Sequence, residues 1–430
     1  MGTLSLALFN SASYFKPEPV PPPFEPGPEQ SYQLRMFRTV RTFGIIYALI
    51  SVMTLLWGLY NYQRRITLIK SKWPGSFVCA ATFIAILANF IISVDLGTVF
   101  KGSSSGKIVQ AKGATVELKP DQVVIDIAYS GLCGTDLHFR KNPNMVLGHE
   151  GVGVISQVGK DVKLFKVGDR VGWGYNHNAC GYCKQCWNGV DTLCPERQMY
   201  GASDFEFGSF GDRAVLNAFF VHKIPDSIPL RLAGPLQCGG ATVYGAIDSA
   251  GVHPANRVGV VGLGGLGHLA VQYLNKMGCD VVVFSHSDSK KKQAEELGAK
   301  EFVAVKENPE FKGVKPVDYL FISTSQQPDW DKFFKAMAPR GKLVPLTVSF
   351  EDMKHPYGEI LMNELSISGS LVARRQVHRE MLEFTARQKV EPWIEELPMT
   401  EEGVNTAFDR LEKGDVRYRF VLKSQRTNAE

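Results

Sequence analysis

Val258-Gly-Val-Val-Gly-Leu-Gly-Gly-Leu-Gly267 decides the fold of this chain. A β-branched stretch runs into G-x-G-G-x-G, the helical pattern of His268–Met277 follows, and a second strand-like stretch covers Asp280–Phe284. In that context the glycines have separate tasks. Gly262 permits a tight turn, Gly264 lets a diphosphate approach the backbone, and Gly267 lets the helix pack on the strand with its N-terminus facing the anion. Leu263, Gly265 and Leu266 complete the cradle. The unit predicts an α/β fold with a doubly wound parallel sheet that binds a dinucleotide.

The end of the second strand bears on which dinucleotide. It reads Phe284-Ser-His-Ser-Asp-Ser-Lys-Lys-Lys292. Ser285 stands where an NAD-selecting fold places an acid for the ribose 2′-hydroxyl. A serine does not repel a 2′-phosphate, and Ser287 and Lys290 are donors for one. The same residues also read as an N-cap and a solvated basic turn, with Asp288 the nearest acid. The expected cofactor is NADP(H).

Upstream lie the cysteines. Cys180, Cys183, Cys186 and Cys194 form C-x2-C-x2-C-x7-C. Close pairs on turns let four thiolates converge on one tetrahedral ion at ~2.3 Å, a closed structural zinc lobe. Gly181, Asn188 and Gly189 supply the turns. A second set is dispersed: Cys133 in Gly131-Leu-Cys-Gly-Thr-Asp-Leu-His138, His149-Glu150 in Gly148-His-Glu-Gly-Val-Gly153, and Cys238 in Pro235-Leu-Gln-Cys-Gly-Gly-Ala-Thr242. Singly, each reads as a packing cysteine, a core histidine or a glycine turn. Together, two thiolates, an imidazole and a carboxylate make a mixed zinc site with room for substrate. Cys79 and Cys279 read as packing residues.

These motifs, in this order, resemble the zinc-dependent medium-chain alcohol dehydrogenases of the cinnamyl-alcohol-dehydrogenase-like branch, over residues ~106–423. The C-terminal stretches Glu380-Met-Leu-Glu-Phe384 and Asn405–Val421 belong to the likeness. The resemblance implies a GroES-like, β-rich catalytic domain at 102–237 and 372–430, interrupted by a Rossmann domain at 238–371. It makes Cys133, His149 and Cys238 catalytic-zinc ligands, with Glu150 a transient fourth, and so two Zn2+ per chain. Thr135 and His138 match the proton relay, and Asp136 would orient the zinc-bound imidazole. Thr242, Ser370, Leu371 and Val372 match positions at the nicotinamide end. The implied activity is hydride transfer between NADP(H) and a primary alcohol or aldehyde, cinnamyl-type or aliphatic, by a homodimer. The alternative is a membrane-tethered NADPH-binding protein with a degenerate dehydrogenase domain. Two departures stand out: the Cys133–His149 interval is short for the family, and the lead before Cys133 looks truncated, as if an opening strand were missing.

The chain is 430 residues long, room for two to four domains, and its 44% hydrophobic and 21% charged composition excludes a disordered or coiled-coil protein. Its net charge of +5 is too small to argue for nucleic acid. All of that excess lies in residues 1–101, which hold nine basic and four acidic residues. Seven prolines in residues 17–28 make residues 1–41 a Pro-rich, extended tail with a basic flank. Residues 42–101 are expected to form a membrane segment. Phe43–Tyr60 and Ser76–Val94 carry no charge over 18 and 19 residues. As helices they would span roughly 27–29 Å, enough for two transmembrane helices, although two buried helices fit the same pattern. No signal peptide or myristoylation site is evident. Zinc-binding thiols must stay reduced, so the enzyme domain is expected to face the cytosol, with both termini inside.

Overall fold

In the computed structural model, the described residues are 52–64, 67, 92–349 and 351–426. The chain divides into two units, Met1–Phe90 and Ile91–Glu430. In the first unit a helix covers residues 52–64. No helix among the described residues is long and apolar enough to cross a membrane, so the two expected spans are not supported. The Pro-rich tail, Cys79, half of the Phe43–Tyr60 run and most of the Ser76–Val94 run lie outside the described residues.

The second unit begins inside the segment assigned by charge to the membrane. Strands β1 (Ser93–Asp95) and β2 (Thr98–Lys101) pair antiparallel with β4 (Thr115–Glu117) and β3 (Val109–Lys112) respectively. Val94 and Leu96 are buried with Leu118, Val124 and Val215. The boundary expected at 102 therefore cuts through packed structure, and the opening strand expected to be missing is present. Local charge could not reveal this, because β1 finds its partner about twenty residues further on.

The core of the catalytic part is a seven-stranded sheet. Its strands are β5 (Gln122–Leu132), β6 (Gly151–Val158), β7 (Arg170–Trp173), β10 (Arg213–Asn217), β11 (His222–Lys223), β18 (Ile394–Pro398) and β19 (Arg419–Lys423). The order is β11-β7-β6-β5-β19-β18, with β10 also on β5. Strands β8 (Asn176–Asn178) and β9 (Gln198–Met199) form a separate antiparallel pair at the base of the cysteine lobe. The C-terminal stretch thus returns to pair with β5, Phe420 opposite Leu132, next to Cys133.

The cofactor part is a six-stranded parallel sheet of β12 (Arg257–Val261), β13 (Asp280–Ser285), β14 (Glu301–Ala304), β15 (Val317–Ile322), β16 (Met337–Pro345) and β17 (Ser366–Ile367). The order β14-β13-β12-β15-β16-β17 is the doubly wound 3-2-1-4-5-6 arrangement, whose binding crevice lies at the carboxyl end of β12. Apolar clusters cover the sheet on both sides, one including Val258, Val260 and Leu269, the other Val282, Leu320 and Phe333. Helix α1 (Gly134–Phe139) follows Cys133, and α2 (Gly239–Ala250) follows Cys238. Helix α3 (Gly267–Met277) starts one residue before the expected His268 and stops at Gly278, whose φ of 97° closes it with a left-handed residue. Helix α4 (Arg375–Gln388) packs on α2.

Candidate active site

Residues more than a hundred positions apart meet at the seam of these parts. Ligand atoms of Cys133, His149, Glu150 and Cys238 lie within 4.8 Å of one another. Cys133 ends β5 and caps α1, His149 and Glu150 enter β6, and Cys238 caps α2, so four element ends converge. His149 Nδ1 donates to Asp136 Oδ1 at 3.0 Å, which leaves His149 Nε2 as the free lone pair. That atom and Glu150 Oε2 are buried with no hydrogen-bond partner. Buried polar atoms without partners are costly, and here they face two thiols. Tetrahedral ligands at ~2.0–2.3 Å from zinc sit about 3.3–3.8 Å apart, so the donor set and its span fit such an ion.

The electrostatics are those of a buried cluster of charged groups. A hydrogen bond from the Cys238 thiol, against burial, holds the Cys133 thiol well below its usual value, while Cys238 is pushed well above. Burial resists protonation of His149, but the Asp136 carboxylate beside it raises its pKa well above normal. Burial lifts Glu150 to about 7, opposed by the Arg419 guanidinium that pairs with it. Thr135 Oγ1 lies 3.7 Å from Cys133 Sγ, half-buried, and His138 is exposed one turn on in the same helix.

The other four cysteines also converge, with their Sγ atoms within 4.8 Å of one another. All seven cysteines of the described residues are free thiols. Gly181 and Gly189 have φ of 82° and 70°, the left-handed turns that bring the thiols inward. Backbone N–H groups of Cys180 and Glu196 point at Cys194 Sγ at 3.4 and 3.3 Å. The arrangement is that of a closed four-sulfur site. Cys279 lies apart, buried, with its thiol toward the His253 carbonyl.

At the glycine turn, a Cβ on Gly267 would lie 2.0 Å from the Gly262 carbonyl oxygen, whereas one on Gly264 would meet nothing within 4 Å. The first glycine is needed for packing; the second leaves open space. Lys290 Nζ donates to the Leu263 carbonyl at 2.7 Å and lies 5.4 Å from the Tyr418 ring centre, and burial lowers its pKa. Ser285 ends β13, and Ser287 Oγ is 3.1 Å from Ser289 Oγ. Thr242 is buried in the first turn of α2, and Val372, with φ of 50°, presses its carbonyl on Gly245 of that helix beside Ser370 and Leu371.

Residues 119–226 match the alcohol dehydrogenase GroES-like domain and residues 265–387 the zinc-binding dehydrogenase domain. A probable formaldehyde dehydrogenase of Bacillus subtilis, AdhA, is 36% identical over 318 residues, 71% of this chain and 90% of that protein. The chain belongs to the zinc-type medium-chain alcohol dehydrogenases. A probable cinnamyl alcohol dehydrogenase of Oryza sativa subsp. japonica is 35% identical over 316 residues, 70% of this chain and 86% of its own. Among solved structures, a cinnamyl alcohol dehydrogenase of Sorghum bicolor superposes with a TM-score of 0.72 at 31% identity, over 77% of this chain and 98% of that one. A Helicobacter pylori CAD complexed with NADP(H) does so at 0.70 and 26% identity, over 79% and 100%. Such full coverage agrees with a lead before Cys133 that is intact.

Two residues of this medium-chain dehydrogenase site escaped the sequence reading. Arg419 is 5% exposed and ion-paired to Glu150, 269 positions away. An arginine opening the apolar run Phe420–Leu422 was its one signal. Tyr200 touches Asp136 and His149 and had no local signal at all.

Proposed function

We propose that the chain is a zinc-dependent oxidoreductase that moves a hydride between NADP(H) and a primary alcohol or aldehyde. The observation that carries this reading is the convergence of two thiols on the unpartnered His149 Nε2 and Glu150 Oε2. When bound, zinc would supply Lewis-acid polarisation of a substrate oxygen, and NADP(H) the hydride or its acceptor. Cys133, His149 and Cys238 hold the metal, with Glu150 as a fourth donor. Asp136 keeps the Nδ1–H tautomer of His149, so that Nε2 faces inward. Thr135 stands beside Cys133 and takes the substrate proton, passing it along α1 toward the exposed His138 and solvent. The four-cysteine lobe holds a second, structural zinc.

Gly262–Gly267 at the N-terminus of α3 cradle the diphosphate. Ser285, Ser287 and Lys290 favour the 2′-phosphate of NADP(H) over NAD, because no acid ends β13. Thr242 and Ser370–Val372 position the nicotinamide end. The edge of β17, unpaired among the described residues and with exposed Leu361, Met362 and Ile367 around it, is the surface for a homodimer. A cytosolic enzyme domain is the location that metal-binding thiols favour, since they must stay reduced to hold zinc.

The test is loss of 340 nm absorbance when NADPH meets a panel of aliphatic and cinnamyl-type aldehydes, with NADH in parallel. Activity with a preference for NADPH supports the reading; zinc-replete protein inert across the panel refutes it. Cys133→Ser should abolish turnover and leave the lobe's zinc in place.

A further inference from the structure

Tyr200 has no part in the chemistry above, yet its phenol makes two buried hydrogen bonds beside His149. The side chain is 2% exposed. Its hydroxyl donates to Asp136 Oδ1 at 2.6 Å and accepts the Gly148 backbone N–H at 2.9 Å. The same Asp136 Oδ1 accepts from His149 Nδ1 at 3.0 Å, and Oδ2 accepts the backbone N–H of Cys133 at 2.9 Å. The Tyr200 ring lies 4.5 Å from the His149 ring, tilted by 35°. One hydroxyl therefore holds both the carboxylate that aims His149 and the peptide that precedes it.

The backbone around Tyr200 leads to the cysteine lobe. The chain enters the lobe through β8 and leaves it through β9, and Tyr200 follows directly on β9. Its N–H donates to the carbonyl of Tyr175, just ahead of β8, at 2.9 Å. Both rings lie against His149, Tyr175 at 5.5 Å and nearly perpendicular. The base of the lobe thus delivers two aromatic side chains onto one imidazole.

We propose that Tyr200 is a positioning residue for His149, acting through Asp136, and that it ties the packing of the four-cysteine lobe to the geometry of the mixed cysteine–histidine site. The inference rests on the reading of that mixed site as a zinc site. Without the phenol O–H, Asp136 Oδ1 keeps only the imidazole as donor and Oδ2 the Cys133 N–H, so two donors rather than three fix the carboxylate. The buried Gly148 N–H also loses its acceptor. Partners of this kind are worth about 10- to 100-fold in metal affinity.

The experiment uses the full zinc-loaded chain and follows zinc release to a chromogenic chelator. The mixed-site phase is identified by its absence in Cys133→Ser. Tyr200→Phe, which keeps the ring, should speed that phase about tenfold and leave the four-cysteine phase unchanged. With Co2+ at the mixed site, the thiolate-to-cobalt and d–d bands should shift in Tyr200→Phe. On an Asp136→Asn background the same substitution should add almost nothing, because the two residues act as one unit. Release at the wild-type rate from Tyr200→Phe overturns the proposal. So does an undiminished acceleration on the Asp136→Asn background, which would mark general loosening. If the wild-type chain has no phase sensitive to Cys133→Ser, the zinc reading itself falls, and the proposal with it.

Discussion

The glycine turn allows one chemical change to be made twice with opposite expected outcomes. Gly264→Ala places a methyl where no atom lies within 4 Å, at a residue outside the left-handed region. The free protein should therefore fold with stability within about 0.5 kcal/mol of wild type. The open space is where the diphosphate is expected to meet the backbone, so the methyl should displace it. Losing one hydrogen bond to a charged group costs about 1.5–3 kcal/mol, or about 10- to 150-fold in Kd. Gly267→Ala puts its methyl 2.0 Å from the Gly262 carbonyl oxygen and 2.8 Å from Ser323 Oγ. Overpacking of this sort should cost about 1–3 kcal/mol or more in the free protein. NADPH fluorescence titration gives the Kd, and urea unfolding gives the stability. A folded Gly264→Ala that binds NADPH within about twofold of wild type would refute the placement of the diphosphate.

Burial holds His268 and His378 down at about 3 and His222 well below its usual value. The unfolded chain takes up these protons near ~6.5, so stability should be full above that pH and fall as pH drops toward 3, by up to about 1.4 kcal/mol per pH unit per histidine. Urea midpoints on either side of about pH 6 measure the slope, and His268→Gln should flatten it; an unchanged slope would contradict the assignment. If the proposed homodimer forms through the β17 edge, light scattering should give a dimer mass for wild type and a monomer mass for Ile367→Lys, and an unaltered mass would exclude that edge. Cys279→Ser should leave bound zinc at the wild-type level, since its thiol faces only the His253 carbonyl.

Features written in local spacing were legible. The run from Val258 to Met277 gave strand, turn and helix, because each glycine's task depends on its neighbours. The spacing of Cys180 to Cys194 brought the lobe together for the same reason. The dispersed residues Cys133, His149, Glu150 and Cys238 were grouped by resemblance rather than by pattern, and the structure brings them together. The apolar runs near the N-terminus misled at their junction with the folded unit. The uncharged run that ends at Val94 leads into the strand Ser93–Asp95, where Val94 is buried, so absence of charge marks strand residues as well as a membrane helix.

The sequence by itself therefore determined the dinucleotide turn, the cysteine lobe and the candidate ligands, since these depend on residues within about fifteen positions of one another or on family motifs. Tertiary structure alone decided where the catalytic unit begins, because β1 is stabilised by pairing with β4 and not by its own composition. It alone set Arg419 against Glu150, through the return of β19 to β5. It alone placed Tyr200 on Asp136, through the β8–β9 pair at the lobe's base. Hydrogen bonds and ion pairs of this kind join residues 64 and 269 positions apart, and no spacing rule in a single sequence reaches that far.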